Sequence, residues 1–87
     1  MRILKNYSAP TTDDLTRLKD ELGYTGNQMA DLAGLADSRQ WRKYTGGDKP
    51  RSISAPMLFL LSAQLVLDES QIDAIFAKMR DIGAELT

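Results

Sequence analysis

The chain is 87 residues long, 43% hydrophobic and 26% charged, which suits one small folded domain and is too apolar and too balanced for a disordered segment. Eleven Lys and Arg against 12 Asp and Glu give a formal net charge of −1 and a pI near 5.2, so the total advertises no polyanionic partner. Cysteine and histidine are both absent, which excludes disulfides, thiolate nucleophiles, Ser-His triads and ordinary zinc sites.

The longest apolar run, Met57 to Leu61, falls far short of the roughly 20 residues of a membrane span. The start, Met-Arg-Ile-Leu-Lys-Asn-Tyr, carries charge but no long apolar segment or small-residue cleavage site. The expectation is a reducing, cytoplasmic setting with no membrane, metal or cofactor and no enzymatic activity. The paired acids Asp13-Asp14 and Asp20-Glu21 read as solvated helix charges.

Residues 1–10, ending in Ser8-Ala9-Pro10, carry little periodicity and read as an arm, with 11–87 a single domain. Thr11 offers an N-cap with Asp14 three residues on, and Leu15, Leu18 and Leu22 follow at helical spacing before Gly23, predicting a helix over about 12–22. Thr25 and Gln28 repeat the device, and Met29, Leu32 and Ala33 form a stripe that stops at Gly34, predicting a helix over 26–33. Asp37-Ser38 can cap a third helix over 38–45, anchored by Trp41 and Tyr44 and stopped by Gly46-Gly47. The loop from Gly46 to Ser52 lacks the spacing and Lys-Ser/Thr ending of a phosphate-cradling P-loop.

Ser54 with Pro56 opens a fourth helix over 55–67, apolar almost all round, which such a short chain would be expected to place at the centre of its core. Asp68 caps a fifth over 69–85, with Ile72, Ile75, Phe76, Met79, Ile82 and Leu86 at helical spacing. No strand-like alternation occurs. The fold class expected is all-α, a compact bundle of about five helices. Six large apolar residues on the last helix exceed what covering the fourth requires, and a two-fold homodimer interface is expected there.

The second and third helices, joined by a tight turn at Gly34, suit a helix-turn-helix, whose second helix can enter the DNA major groove. Ala30 supplies a small residue where the helices cross. The stretch from Thr25 to Gly47, with its early Gln28, Ala30 followed four residues later by Gly34, and the Trp-Arg-Lys-Tyr-Thr-Gly-Gly ending, resembles the Cro and phage-repressor type of helix-turn-helix, also called the xenobiotic-response-element type. The resemblance covers about residues 11–67. It implies a sequence-specific, double-stranded DNA-binding regulator in a bacterial cell, associated with the nucleoid and repressing by operator occupancy. One departure is visible: the family's apolar anchors fall six and nine positions after the turn glycine, here Gln40 and Lys43, whereas Trp41 and Tyr44 stand one later. A turn one residue longer reconciles the two.

Charge divides unevenly along the chain. Residues 1–10 hold +2, residues 11–36 hold −3, residues 37–51 hold +3 and residues 52–87 hold −3. A local patch of this kind suffices to neutralise phosphates despite the negative total. Arg39, Gln40 and Arg42 have the geometry for bidentate base contacts, and Ser38 is short enough for a base or a phosphate. Lys43, Lys49, Arg51, Thr25, Asn27 and Gln28 suit phosphate contacts, and Arg2 and Lys5 can reach the backbone from the arm. Gln28 also suits a capping box with Thr25. The alternative reading is a protein-interaction module on the same fold, such as an antitoxin or a phage-encoded inhibitor of a host protein, favoured by the acidic flanks.

Overall fold

Local capping chemistry defines each helix in the computed structural model, which describes residues 4–86. The helices are α1 (Thr12–Leu22), α2 (Gly26–Leu32), α3 (Ser38–Thr45), α4 (Ala55–Val66) and α5 (Glu69–Ile82), and there is no strand among the described residues. The Thr11 hydroxyl accepts from the Asp14 N–H at 3.1 Å while the Asp14 carboxylate accepts from the Thr11 N–H at 2.9 Å. Thr25 and Gln28 close the same reciprocal box at 3.1 and 2.8 Å, and Asp68 and Gln71 a third at 2.9 Å each. These contacts satisfy N–H groups that a helix start leaves without partners. Backbone N–H donation holds the carboxyls of Asp14, Asp37 and Asp68 below their ordinary range, the leading donors being Thr11, Gln40 and Gln71 respectively.

The core gathers around α3. Trp41, Met29, Ile53 and Leu61 are the largest fully buried side chains, joined by Leu15, Ala30 and Ala33. Leu18, Leu22, Tyr44, Met57 and Leu58 pack against this cluster. Truncating a buried aromatic of this kind costs about 3–5 kcal/mol, so Trp41 is a structural anchor of the first order. Ile53, in the loop ahead of α4, had no periodic signal to mark it as core.

The expectation that α4 forms the centre of the core is not met. Of its residues only Leu61 is buried, while Phe59 is 47% exposed, Leu60 48% and Val66 80%. A helix apolar on all sides can turn only part of its circumference inward, and the inward side of α4 is Leu61 with Met57 and Leu58. The last turn of α4 leans on α2 through one side chain. The Gln64 amide donates to the Leu32 carbonyl at 2.7 Å and to the Leu60 carbonyl at 3.0 Å, supplying a partner for one of the final carbonyls of α2.

One further expectation is corrected. The fifth helix stops at Gly83, which takes a φ of +126°, so Leu86 lies beyond it rather than on its stripe. No α5 side chain is buried, and none belongs to the core cluster. The arm makes contacts with the rest of the chain. The Tyr7 hydroxyl donates to the Ile53 carbonyl at 2.6 Å, Ala9 packs on the core, and partial burial pushes the Tyr7 hydroxyl pKa up. Lys5 is exposed, and Arg2 lies outside the described residues.

Candidate nucleic-acid interface

The turn between α2 and α3 runs from Ala33 to Asp37. Gly34 takes a φ of +74°, a left-handed conformation that glycine adopts without Cβ strain. Its N–H reaches the Asp31 carbonyl at 3.1 Å, and the Leu35 N–H reaches the Ala30 carbonyl at 2.8 Å. Asp37 then restarts the chain as a helix, its carboxylate accepting from the N–H groups of Arg39 and Gln40 at 3.0 and 3.2 Å.

Two contacts fix how α3 meets α2. The Asn27 Oδ1 accepts from the Ser38 N–H at 2.9 Å. A Cβ placed on Gly26 would lie 2.9 Å from the Ser38 Cβ, closer than carbon atoms approach in practice. Gly26 is thus the close-crossing residue, in addition to the buried Ala30 anticipated for that role. A glycine at the first position of a helix is also compatible with simple capping, so nothing in the sequence singled it out.

About 100° of rotation per residue divides α3 into two sides. Trp41 is buried and Tyr44 half-buried, which makes these two the anchors of α3. Arg39, Arg42 and Lys43 lie on the opposite side and are all exposed. The Arg39 guanidinium touches the Asp37 carboxylate at 3.4 Å, but 79% of its side chain faces solvent, so this contact restrains it only weakly.

The loop after α3 folds back onto it, the Arg51 N–H donating to the Lys43 carbonyl at 2.7 Å. Arg39, Arg42, Lys43, Lys49 and Arg51 thereby surround one open concavity of about 490 Å³, with Asp48 the single acid on its wall. Five of the cations chosen from the sequence are gathered in one place, and the local potential is strongly positive there while the rest of the chain is net negative.

A second cleft, of about 440 Å³, lies on the other side of Arg42. Thr25, Asn27 and Ser38 line it as anticipated, together with Thr16 and Lys19 from α1 and Thr45 from α3. Thr16 and Lys19 were not legible as site residues, because they meet the others only through the packing of α1 against α2 and α3. Trp41 also lines the cleft. Its Nε1 is buried and has no hydrogen-bond partner, an arrangement that costs about 1–3 kcal/mol when left unmet.

Two sequence-chosen residues stand apart. The Gln28 Oε1 accepts from the Thr25 N–H, and Gln28 lines a separate recess with Tyr24, Asp31, Leu32 and Gln64, so its capping role is the one observed. Gln40 is half-buried and lines neither the basic concavity nor the cleft. Among the described residues no group of three or more His, Asp or Glu side chains is placed to hold a metal ion, and no helix is long and apolar enough to cross a membrane.

Along α4 and α5 a different surface is uncovered. Phe59, Ala63, Val66, Leu67 and Ile75 line an almost wholly apolar groove of about 280 Å³ between the two helices, and Phe76, Met79 and Ile82 continue it along α5 as exposed side chains. Ile72 is half-buried. No protein-family model, curated protein or solved structure matches this chain.

Proposed function

We propose that this protein is a sequence-specific DNA-binding regulator of the Cro and phage-repressor type, with α3 as the helix that enters the major groove. The carrying observation is the separation of α3 into a buried aromatic side and an exposed side bearing Arg39, Arg42 and Lys43, extended by Lys49 and Arg51 into one basic concavity. Arg39 and Arg42 present guanidinium forks suited to guanine edges. Lys43, Lys49 and Arg51 suit the flanking phosphates, which orient the domain without reading sequence. The acidic remainder of the surface favours a single approach to the duplex.

The partner we assign to the apolar α4/α5 face is a second copy of the chain. Glu69, Asp73 and Arg80 share one flank of the α5 apolar stripe at helical spacing. When two such helices pack antiparallel about a two-fold axis, like flanks face each other, and Arg80 of each copy meets the acidic end of the other. That pattern is self-complementary and favours a homodimer. Two α3 helices would then read half-sites about 34 Å apart.

The test is an electrophoretic shift with duplex DNA from upstream of the protein's own gene. Affinity should fall steeply between about 50 and 200 mM salt, as expected when several phosphates are neutralised. The same apolar face is what a protein-interaction module of antitoxin or inhibitor type would use. Such an interface, built on apolar anchors, is nearly insensitive to salt, so salt-independent association with a protein and no shift of any duplex would establish that reading instead.

A further inference from the structure

Five cations surround the basic concavity, and among the described residues only one of them has a carboxylate within ion-pair distance. That one is Arg39, whose Nη2 donates to the Asp37 Oδ2 at 3.4 Å. The same Asp37 side chain caps α3, its Oδ1 accepting from the N–H groups of Arg39 and Gln40 at 3.0 and 3.2 Å. The two oxygens of one carboxylate thus meet different partners. Capping needs only the first, and Ser or Asn would supply it as well, so the cap leaves the second oxygen and its charge unexplained.

We propose that Asp37 is a positioning residue for base reading by Arg39. The role rests on the DNA-binding reading above and deepens it. Arg39 is the second residue of α3, and the N-terminal residues of a recognition helix are those that meet base edges. Two backbone N–H donors already fix the carboxylate, so ordering the pair costs only the rotamer freedom of Arg39. One guanidinium N–H is turned back to Asp37, and the remaining donors suffice for the O6 and N7 of a guanine. In the free protein 79% of the Arg39 side chain faces solvent and water weakens the contact; exclusion of water from the groove strengthens it. The carboxylate also offsets the Arg39 charge. That reduces what Arg39 gains from any phosphate and leaves its directional donation to a base, so the pair supplies discrimination more than affinity.

The sign of the effect separates this role from general electrostatics. Asp37→Asn keeps a capping oxygen and replaces the oxygen facing Arg39 by an NH2 group, a donor that cannot accept from a guanidinium. It also removes one negative charge, which by itself raises affinity for any duplex. Binding of the full chain is measured by fluorescence anisotropy for the parent, D37N, R39A and the double variant. Two labelled duplexes are used, one from upstream of the protein's own gene and one of scrambled sequence. D37N should lower affinity for the upstream duplex by about threefold or more, while affinity for the scrambled duplex rises or holds. In the R39A background the upstream loss should disappear. D37S, which also caps, should repeat the loss, and circular dichroism at the assay temperature checks that each variant is folded.

Where the parent prefers the upstream duplex, a D37N rise on both duplexes, or no change on either, overturns the positioning role and leaves α3 as the reading helix. An upstream loss just as large in the R39A background means that Asp37 acts through the helix rather than through Arg39, and overturns the role equally. A parent chain that binds neither duplex, or both alike, overturns the DNA-binding reading and the role of Asp37 with it.

Discussion

Replacing Gly26 by alanine tests the idea that α3 is positioned by a close backbone crossing. The new Cβ would sit 2.9 Å from the Ser38 Cβ, and neither atom is the free end of a flexible side chain, so the start of α3 must move away from α2. Overpacking of this kind costs about 1–3 kcal/mol, offset by about 0.5–1 kcal/mol because alanine loses less conformational entropy than glycine in a helix. The net loss expected is about 1–2 kcal/mol, which in a domain of this size lowers the melting temperature by roughly 5–15 °C. Gly46→Ala is the control, since that glycine has extended backbone, φ −160°, and nothing within 4 Å of a Cβ. Thermal unfolding followed by far-ultraviolet circular dichroism gives both values. Combining Gly26→Ala with Ser38→Gly should recover the overpacking part, a coupling of about 1 kcal/mol in a double-mutant cycle. A Gly26→Ala protein as stable as the parent, or a cycle with no coupling, would refute the crossing.

Other outcomes follow from the same contacts. Arg39→Ala with Arg42→Ala should lower operator affinity by at least about tenfold in a gel shift while leaving the melting temperature unchanged, because both side chains are exposed. Val66→Asp with Ile82→Asp, at positions 80% and 76% exposed in the single chain, should convert a homodimer to monomer in sedimentation velocity without unfolding it; a dimer that survives both charges would remove α4 and α5 from the interface. Asp14, Asp37 and Asp68 have folded-state pKa values below the ordinary 3.8. Their contribution to stability is therefore complete above that value and is lost as the pH falls through the depressed ones. Acid unfolding of the triple Asp→Asn variant should show a shallower pH dependence below about pH 4 than the parent; an identical slope would mean these caps are not what acid removes.

The helix starts were the most legible part of the fold because each is written in residues only three apart. Thr11 with Asp14 and Thr25 with Gln28 need no tertiary information to be recognised. The anchors Trp41 and Tyr44 were legible for a similar reason, being the only large apolar residues on an otherwise polar helix. The place of α4 was not, since an all-round apolar helix has no periodicity to say which side faces inward. The basic concavity could be anticipated because its cations fall within 13 consecutive residues, 39–51. The second cleft draws Thr16 and Lys19 from α1 against residues at the start of α2 and along α3, and no local pattern encodes that meeting.

The clamp from Gln64 to the Leu32 carbonyl ties α4 to the end of α2. Leu60 presses on the α2–α3 turn, where a Cβ on Gly34 would come within 3.3 Å of its Cδ2, while its near neighbour Phe59 opens onto the apolar groove. The turn is therefore held from behind by the same helix whose far side is uncovered. A tilt of α4 would therefore pull first on the end of α2, through that amide. Whatever docks along the apolar side would thus act on the end of α2 through one amide, a short mechanical path from the uncovered groove to the turn that leads into α3.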